Sequence, residues 1–97
     1  MEVRFDDGQG LEGVEAGRVG TGIGPGIDKA FRKRMKLIRS AADERDFRNL
    51  KSLHFEKLQG TEDYSMRLND QWRLVMRLEG EAPNKTVVIC GITDYHR

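Results

Sequence analysis

Across residues 25–42, apolar side chains return every three or four positions. Ile27, Phe31, Met35, Ile38 and Ala42 form one stripe, and Lys29, Arg32, Lys33, Lys36 and Arg39 fall on the other faces. That period predicts an amphipathic helix, with Asp28 placed where a carboxylate favours a helix N-terminus. Elsewhere the period is two. Val3 and Phe5 alternate with charges, as do Tyr64, Met66 and Leu68, and then Trp72, Leu74, Met76 and Leu78; each run predicts a half-buried strand. Residues 86–93 are apolar on both faces, which marks a central or well-covered strand. Residues 44–50 suit a second short helix, residues 53–56 a short strand or connecting turn, and residues 79–84, with Gly80 and Pro83, a turn. The expected class is α+β: an N-terminal strand and one or two helices packed on a twisted antiparallel sheet of about four strands.

Glycine interrupts this pattern near the start. Eight of the eleven glycines fall in residues 8–26, and each disfavours a helix interior by roughly 1 kcal/mol relative to Ala. The segment reads as a flexible loop with room for a helical turn only around residues 11–16. It lacks the Lys-Ser/Thr ending of a phosphate-binding P-loop.

At 97 residues the chain fits one domain, residues 1–97, with one modest core. No apolar run is long enough to span a membrane, and the first residues lack the pattern of a signal peptide. Cys90 is the only cysteine, so an internal disulfide is ruled out, and a reducing cytoplasm is the expected compartment. One Cys and two His far apart give no metal-ligand spacing. His54, between Leu53 and Phe55, reads as a packed structural histidine. The net charge of +1 conceals an uneven distribution. Residues 1–27 are net −3, residues 28–57 carry ten basic against five acidic side chains, and residues 58–97 are net −1. A basic middle points to a local anionic partner.

The hairpin around Asn69-Asp70-Gln71 is placed by parity. A three-residue loop sets Leu68 opposite Trp72 and Met66 opposite Leu74, keeping the core on one face. The same register sets Arg67 opposite Arg73. Directly opposed like charges are destabilising, and an anion held between two guanidiniums offsets that. The alternative is that both arginines splay into solvent or pair with Glu79, Glu62 or Asp63. Lys57 and Gln59, near Gly60, are placed on the same side as the arginines. The chain ends in Asp94-Tyr95-His96, a carboxylate, a phenol and an imidazole at one sheet edge, suited to proton transfer; the plainer reading is a solvated terminus.

Three stretches together, Leu53-His54-Phe55-Glu56-Lys57-Leu58-Gln59-Gly60, Tyr64-Ser65-Met66-Arg67-Leu68-Asn69-Asp70-Gln71-Trp72-Arg73-Leu74 and Asp94-Tyr95-His96, resemble the HigB-type toxins of the RelE/ParE superfamily. The resemblance covers residues 28–97 well and residues 1–27 poorly. It implies a RelE-like fold and a small cytoplasmic endoribonuclease, without metal or cofactor, that cuts mRNA during translation on the ribosome. It also implies a cognate helix-turn-helix antitoxin of HigA type, through which alone the toxin meets operator DNA. By this resemblance Arg73 stabilises the phosphorane, His96 is general base or acid, Asp94 orients His96 or raises its pKa, and Tyr95 stacks on a base or bonds the backbone. Arg67 assists by the parity argument. Lys57, Gln59, Arg32 and Lys36 are the expected RNA contacts, where phosphate dominates affinity. Gln59 stands where relatives often carry Lys, and the glycine-dense segment replaces their first helix. Two other readings follow from the same fold: a ParE-like toxin that inhibits gyrase by contact, and a non-catalytic homologue acting only as antitoxin partner or co-repressor.

Overall fold

A computed structural model describes residues 1–6, 8–81 and 84–94. In chain order these form β1 (Glu2–Phe5), α1 (Leu11–Glu15), α2 (Pro25–Ser40), α3 (Arg45–Arg48), a 3-10 turn (Lys51–Leu53), β2 (Glu56–Lys57), β3 (Asp63–Arg67), β4 (Trp72–Glu79) and β5 (Thr86–Asp94). The strands make one sheet in the order β1-β5-β4-β3-β2. It has five strands rather than four and is mixed rather than wholly antiparallel, because β1 runs parallel to β5, Val3 opposite Val87 and Phe5 opposite Ile89. Alternation identifies a strand but neither its partner nor its direction. β5, apolar on both faces, has β4 along one edge, and β1 supplies the other.

The helices cover one face. Ile27, Phe31, Met35 and Ile38 of α2 are buried against Met66, Leu74, Met76, Val87, Ile89 and Ile92 of the sheet. Phe31 is fully enclosed, a burial worth roughly 1.5–3 kcal/mol. The helix stops at Ser40, two residues before the pattern suggested. Ala41 is extended, with φ −70° and ψ 145°, and it is Ala41 rather than Ala42 that enters the core. The second helix is shorter than expected, a single turn that buries Phe47.

One bulge sets the faces of β5. Val75 lies opposite Gly91 but Met76 lies opposite Ile89, so Cys90 is the extra residue. A bulge shifts the alternation by one, which is why Ile89 and Ile92, three apart, both reach the core. Beyond the end of β1, the Gln9 side chain continues the pairing along β5. Its Oε1 accepts from the Ile92 N–H at 2.6 Å and its Nε2 donates to the Ile92 carbonyl at 3.1 Å. A Cβ on Gly91 would lie 2.9 Å from that Oε1.

Residues 8–26 are more built than an open loop. Leu11 and Val14, one helical turn apart, are buried in α1, and this apolar contact outweighs the glycines around it. Further on, the Asp28 carboxylate accepts from both the backbone N–H and the hydroxyl of Thr21. A Cβ on Gly20 would come within 2.8 Å of that carboxylate, so glycine lets the chain close over the start of α2. Pro25 and Gly26 are already its first turn.

The Thr21 hydroxyl and then its N–H hold the Asp28 carboxyl below the usual aspartate range, with a smaller push from Arg32. A depressed folded-state pKa contributes stability above the unfolded value and loses it as pH falls through the folded value. Asp28→Ala is therefore expected to melt below wild type at neutral pH. The gap should close progressively below about pH 4, near the unfolded aspartate value, when thermal melts are compared across pH. A gap independent of pH would rule out the carboxylate as its source.

Candidate functional site

The register of β3 and β4 places Arg67 opposite Arg73, with Met66 opposite Leu74, as parity predicts. The Leu68 N–H donates to the Trp72 carbonyl at 2.9 Å, so Arg67 and Arg73 form the intervening pair, in which Cα atoms approach to about 4.5 Å and side chains are close. The two arginines have different fates. Arg73 is 6% exposed. Its Nε donates to the Ser65 hydroxyl at 2.8 Å, its Nη2 donates to the His54 carbonyl and, at 3.4 Å, to the Ser65 carbonyl. The Glu56 carboxylate lies 3.6 Å from Nη2. Arg67 stays half-exposed and pairs with Asp70 on the hairpin loop. The pair is thus not an open clamp: burial has committed one member to protein partners.

The turn before β2 explains His54. Leu53 is buried, and the Phe55 ring stacks on Tyr64 at 5.2 Å and meets Phe47 edge-on at 5.3 Å. Arg48 lies over Phe55 and Tyr64. With anchors on both sides, and with its carbonyl turned in to Arg73, His54 adopts φ +46° and ψ 49°. It is the described non-glycine residue with positive φ, and it is exposed, not packed as the sequence reading held. Held strain of this kind concentrates at functional sites. The signal was the Leu-His-Phe alternation itself, which turns the middle residue away from both anchors.

Other expected residues are dispersed. Glu56, opposite Ser65, faces the arginines, whereas Lys57, opposite Tyr64, takes the other face; a period of two allows no other outcome. Lys57 and Gln59 instead share an open depression with Leu58, Gly60, Thr61 and Glu62. Asp94 lies opposite Trp72, and Thr93 opposite Arg73. Asp94 therefore reaches the same end of the sheet as Arg73 but shares the Trp72 face, where its Oδ2 accepts from the Gln71 amide at 3.2 Å. The extra residue at Cys90 sets this parity. Tyr95 and His96 lie outside the described residues. Arg32 is half-buried and Lys36 exposed on α2, while Arg39 is tied to Glu15 of α1 through bonds of 2.6 and 2.7 Å. Sequence reasoning missed Arg34, whose Nε donates to the Arg67 carbonyl at 2.9 Å. Its position three residues after Phe31 and four before Ile38, on the apolar stripe, was the available signal.

A family model described as the RelE-like toxin of the type II toxin–antitoxin system HigB matches residues 5–96. The chain belongs to the HigB-like toxin family. Among solved structures, a YoeB/ParE toxin from Agrobacterium tumefaciens superposes with a TM-score of 0.59 at 12% identity, covering 99% of this chain and 100% of that one; at that identity the likeness is one of fold. No curated protein sequence matches the chain. A HigB-like toxin of a type II system has an antitoxin as its partner. Among the described residues of this toxin, no helix is long and apolar enough to cross a membrane.

The Arg73 lock makes opposite predictions for two neighbours in this HigB-like toxin. Arg73→Ala leaves the Ser65 hydroxyl and the His54 carbonyl without this donor, and is expected to cost about 1–3 kcal/mol. His54→Gly removes a side chain from left-handed backbone, and is expected to be neutral or stabilising by about 1 kcal/mol. Urea denaturation of the two variants checks both; a His54→Gly protein as weakened as Arg73→Ala would mean that the imidazole is structural.

Proposed function

We propose that this HigB-like toxin is a metal-independent endoribonuclease that cleaves mRNA during translation on the ribosome and so arrests growth. The observation that carries the reading is the exposed, strained His54 fixed by its carbonyl to a buried arginine, beside a second arginine on the neighbouring strand. Cleavage without a metal requires one group to remove the proton of the ribose 2′-OH as it attacks the adjacent phosphorus. Another must protonate the 5′-oxygen as its bond to phosphorus breaks, leaving a 2′,3′-cyclic phosphate and a 5′-hydroxyl. His54 and the terminal His96 supply two imidazoles for these roles. Asp94 orients the tail that carries His96, and Tyr95 stacks on a base or bonds the backbone. Arg73 is a positive charge already in place before reaction, the form in which electrostatic stabilisation of a phosphorane is most effective. Arg67 contacts RNA phosphate directly. Lys57 and Gln59 bind RNA from the adjoining depression, and Arg32 and Lys36 bind ribosomal RNA.

The partner in the cell is a helix-turn-helix antitoxin of HigA type, and operator DNA is contacted through it. The site of action is the cytoplasm, where ribosomes translate.

The test is induction of the toxin in growing cells, with mapping of new 5′ ends on translated mRNA. Wild type is expected to produce fragments bearing 5′-hydroxyls. His96→Ala and His54→Ala should each lower cleavage by about 10²–10⁴-fold and relieve growth arrest while the fold is retained. Intact mRNA in arrested cells, with purified protein inhibiting supercoiling by gyrase, would replace this reading with contact inhibition. Intact mRNA with unimpeded growth would leave a partner-only protein.

A further inference from the structure

We propose that Arg34 and Arg67 together form a phosphate-binding subsite beside the cleavage site, holding an RNA backbone phosphate adjacent to the one that reacts. The inference rests on the ribonuclease reading and adds to it a residue and a second point of grip on the substrate.

Arg34 lies in an unusual position for a cation. Its neighbours on the helix stripe, Phe31 and Ile38, are fully buried, and Arg34 itself is half-buried. Buried charges are ordinarily paired with carboxylates. Among the described residues Arg34 has none; its one hydrogen bond runs from Nε to the Arg67 carbonyl. That carbonyl is available for a physical reason. Leu68 directs its N–H toward β4, so Arg67 directs its own backbone groups away from β4. β2 follows β3 only as far as Ser65, leaving the Arg67 carbonyl on an uncovered stretch of edge.

The bond brings together two residues that repel each other. Burial, and then the charge of Arg67, weaken the hold of the Arg34 guanidinium on its proton. With Nε engaged, the Nη pair of Arg34 still presents a planar fork, the geometry that suits phosphate. The existing partner of Arg67 is Asp70, whose side chain is 94% exposed. A surface pair of that kind is worth about 0–1 kcal/mol, so a phosphate can displace it.

Position favours RNA over an acidic protein surface. Arg67 is the cross-strand neighbour of Arg73, and Arg73 holds the His54 carbonyl. An anion between Arg34 and Arg67 would therefore lie beside Arg73 and His54, where the proposed function puts the reacting phosphate.

The experiment uses full-length toxin and ribosomes programmed with mRNA made uncleavable by a 2′-deoxy substitution at the cut codon. Single backbone linkages around that codon are replaced one at a time by neutral methylphosphonate. Wild type is expected to lose about tenfold or more in affinity at one flanking linkage, the scale of a charge-assisted hydrogen bond. Arg34→Gln and Arg67→Gln should bind the unmodified mRNA weaker by a similar factor and be insensitive to that linkage. The amide introduced by Arg34→Gln keeps a donor for the Arg67 carbonyl, and Arg67→Gln removes only an exposed pair, so one variant stands if the other fails to fold. Arg34→Lys, with charge but no fork, should fall between. Equal sensitivity of wild type and both glutamine variants at every linkage overturns the subsite while leaving the ribonuclease intact. Loss of antitoxin affinity in Arg34→Gln with RNA binding unchanged overturns it in favour of an acidic protein surface. Failure of wild type to engage programmed ribosomes overturns the ribonuclease reading and this subsite with it.

Discussion

A guanidinium enclosed in a 97-residue domain constrains everything around it. Leaving a buried charge unpaired costs several kcal/mol, a large part of the roughly 5–15 kcal/mol that holds a typical domain together. The neighbours of Arg73 are therefore not free to vary. Position 65 has to keep a hydroxyl, Glu56 sets a carboxylate nearby, and the turn before β2 must point a carbonyl inward. The last requirement is what shapes the site. A chain that turns the carbonyl of His54 in, with Leu53 and Phe55 also anchored, must turn its imidazole out. The exposed histidine is thus a consequence of satisfying a buried charge.

The other end of the arrangement depends on β5. The extra residue at Cys90 changes which face each later side chain takes, so Ile92 returns to the core and Asp94 emerges beside Trp72. That end of β5 outlasts its partner β1, whose last register pair is Phe5 with Ile89. Gln9 takes over by bonding both backbone groups of Ile92, and the close approach of its Oε1 at Gly91 leaves no room for a side chain there. The segment after β1 therefore fixes the strand end that leads into Tyr95 and His96.

What the sequence revealed was local. The stripe of Ile27, Phe31, Met35 and Ile38 needs only a helical period, and the opposition of Arg67 to Arg73 needs only alternation and a three-residue loop. What it concealed was non-local or one residue wide. Nothing in Val3 and Phe5 names β5 as their partner or makes the pairing parallel. A bulge is invisible in a strand that is apolar on both faces. The helical turn around residues 11–16 was legible, but not that Leu11 and Val14 are buried in the core. Lys57 was expected on the side of the arginines from its place near the Gly60 turn, although a period of two gives that face to Glu56. The partners of Arg73 could not be read because a buried arginine and an exposed one look alike in a strand that alternates cleanly.

The arginines around the sheet, those of its open face and Arg34 at the β3 edge, differ in how far each is already neutralised. Toward β1, Arg77 pairs with Glu79 at 3.0 Å and with Asp6 at 3.4 Å, and Arg4 pairs with Glu79 at 2.9 Å, over a fully buried Val88. Those charges are spent within the protein. Toward β3 the balance reverses. Arg73 is held by the neutral acceptors of Ser65 and His54 as well as by Glu56; among the described residues Arg67 pairs with an exposed aspartate, and Arg34 bonds a carbonyl. The sheet thus has a balanced end toward β1 and a more positive end toward β3. The positive end is the one that carries His54, so a field suited to an anion and an exposed imidazole arise from the same few residues.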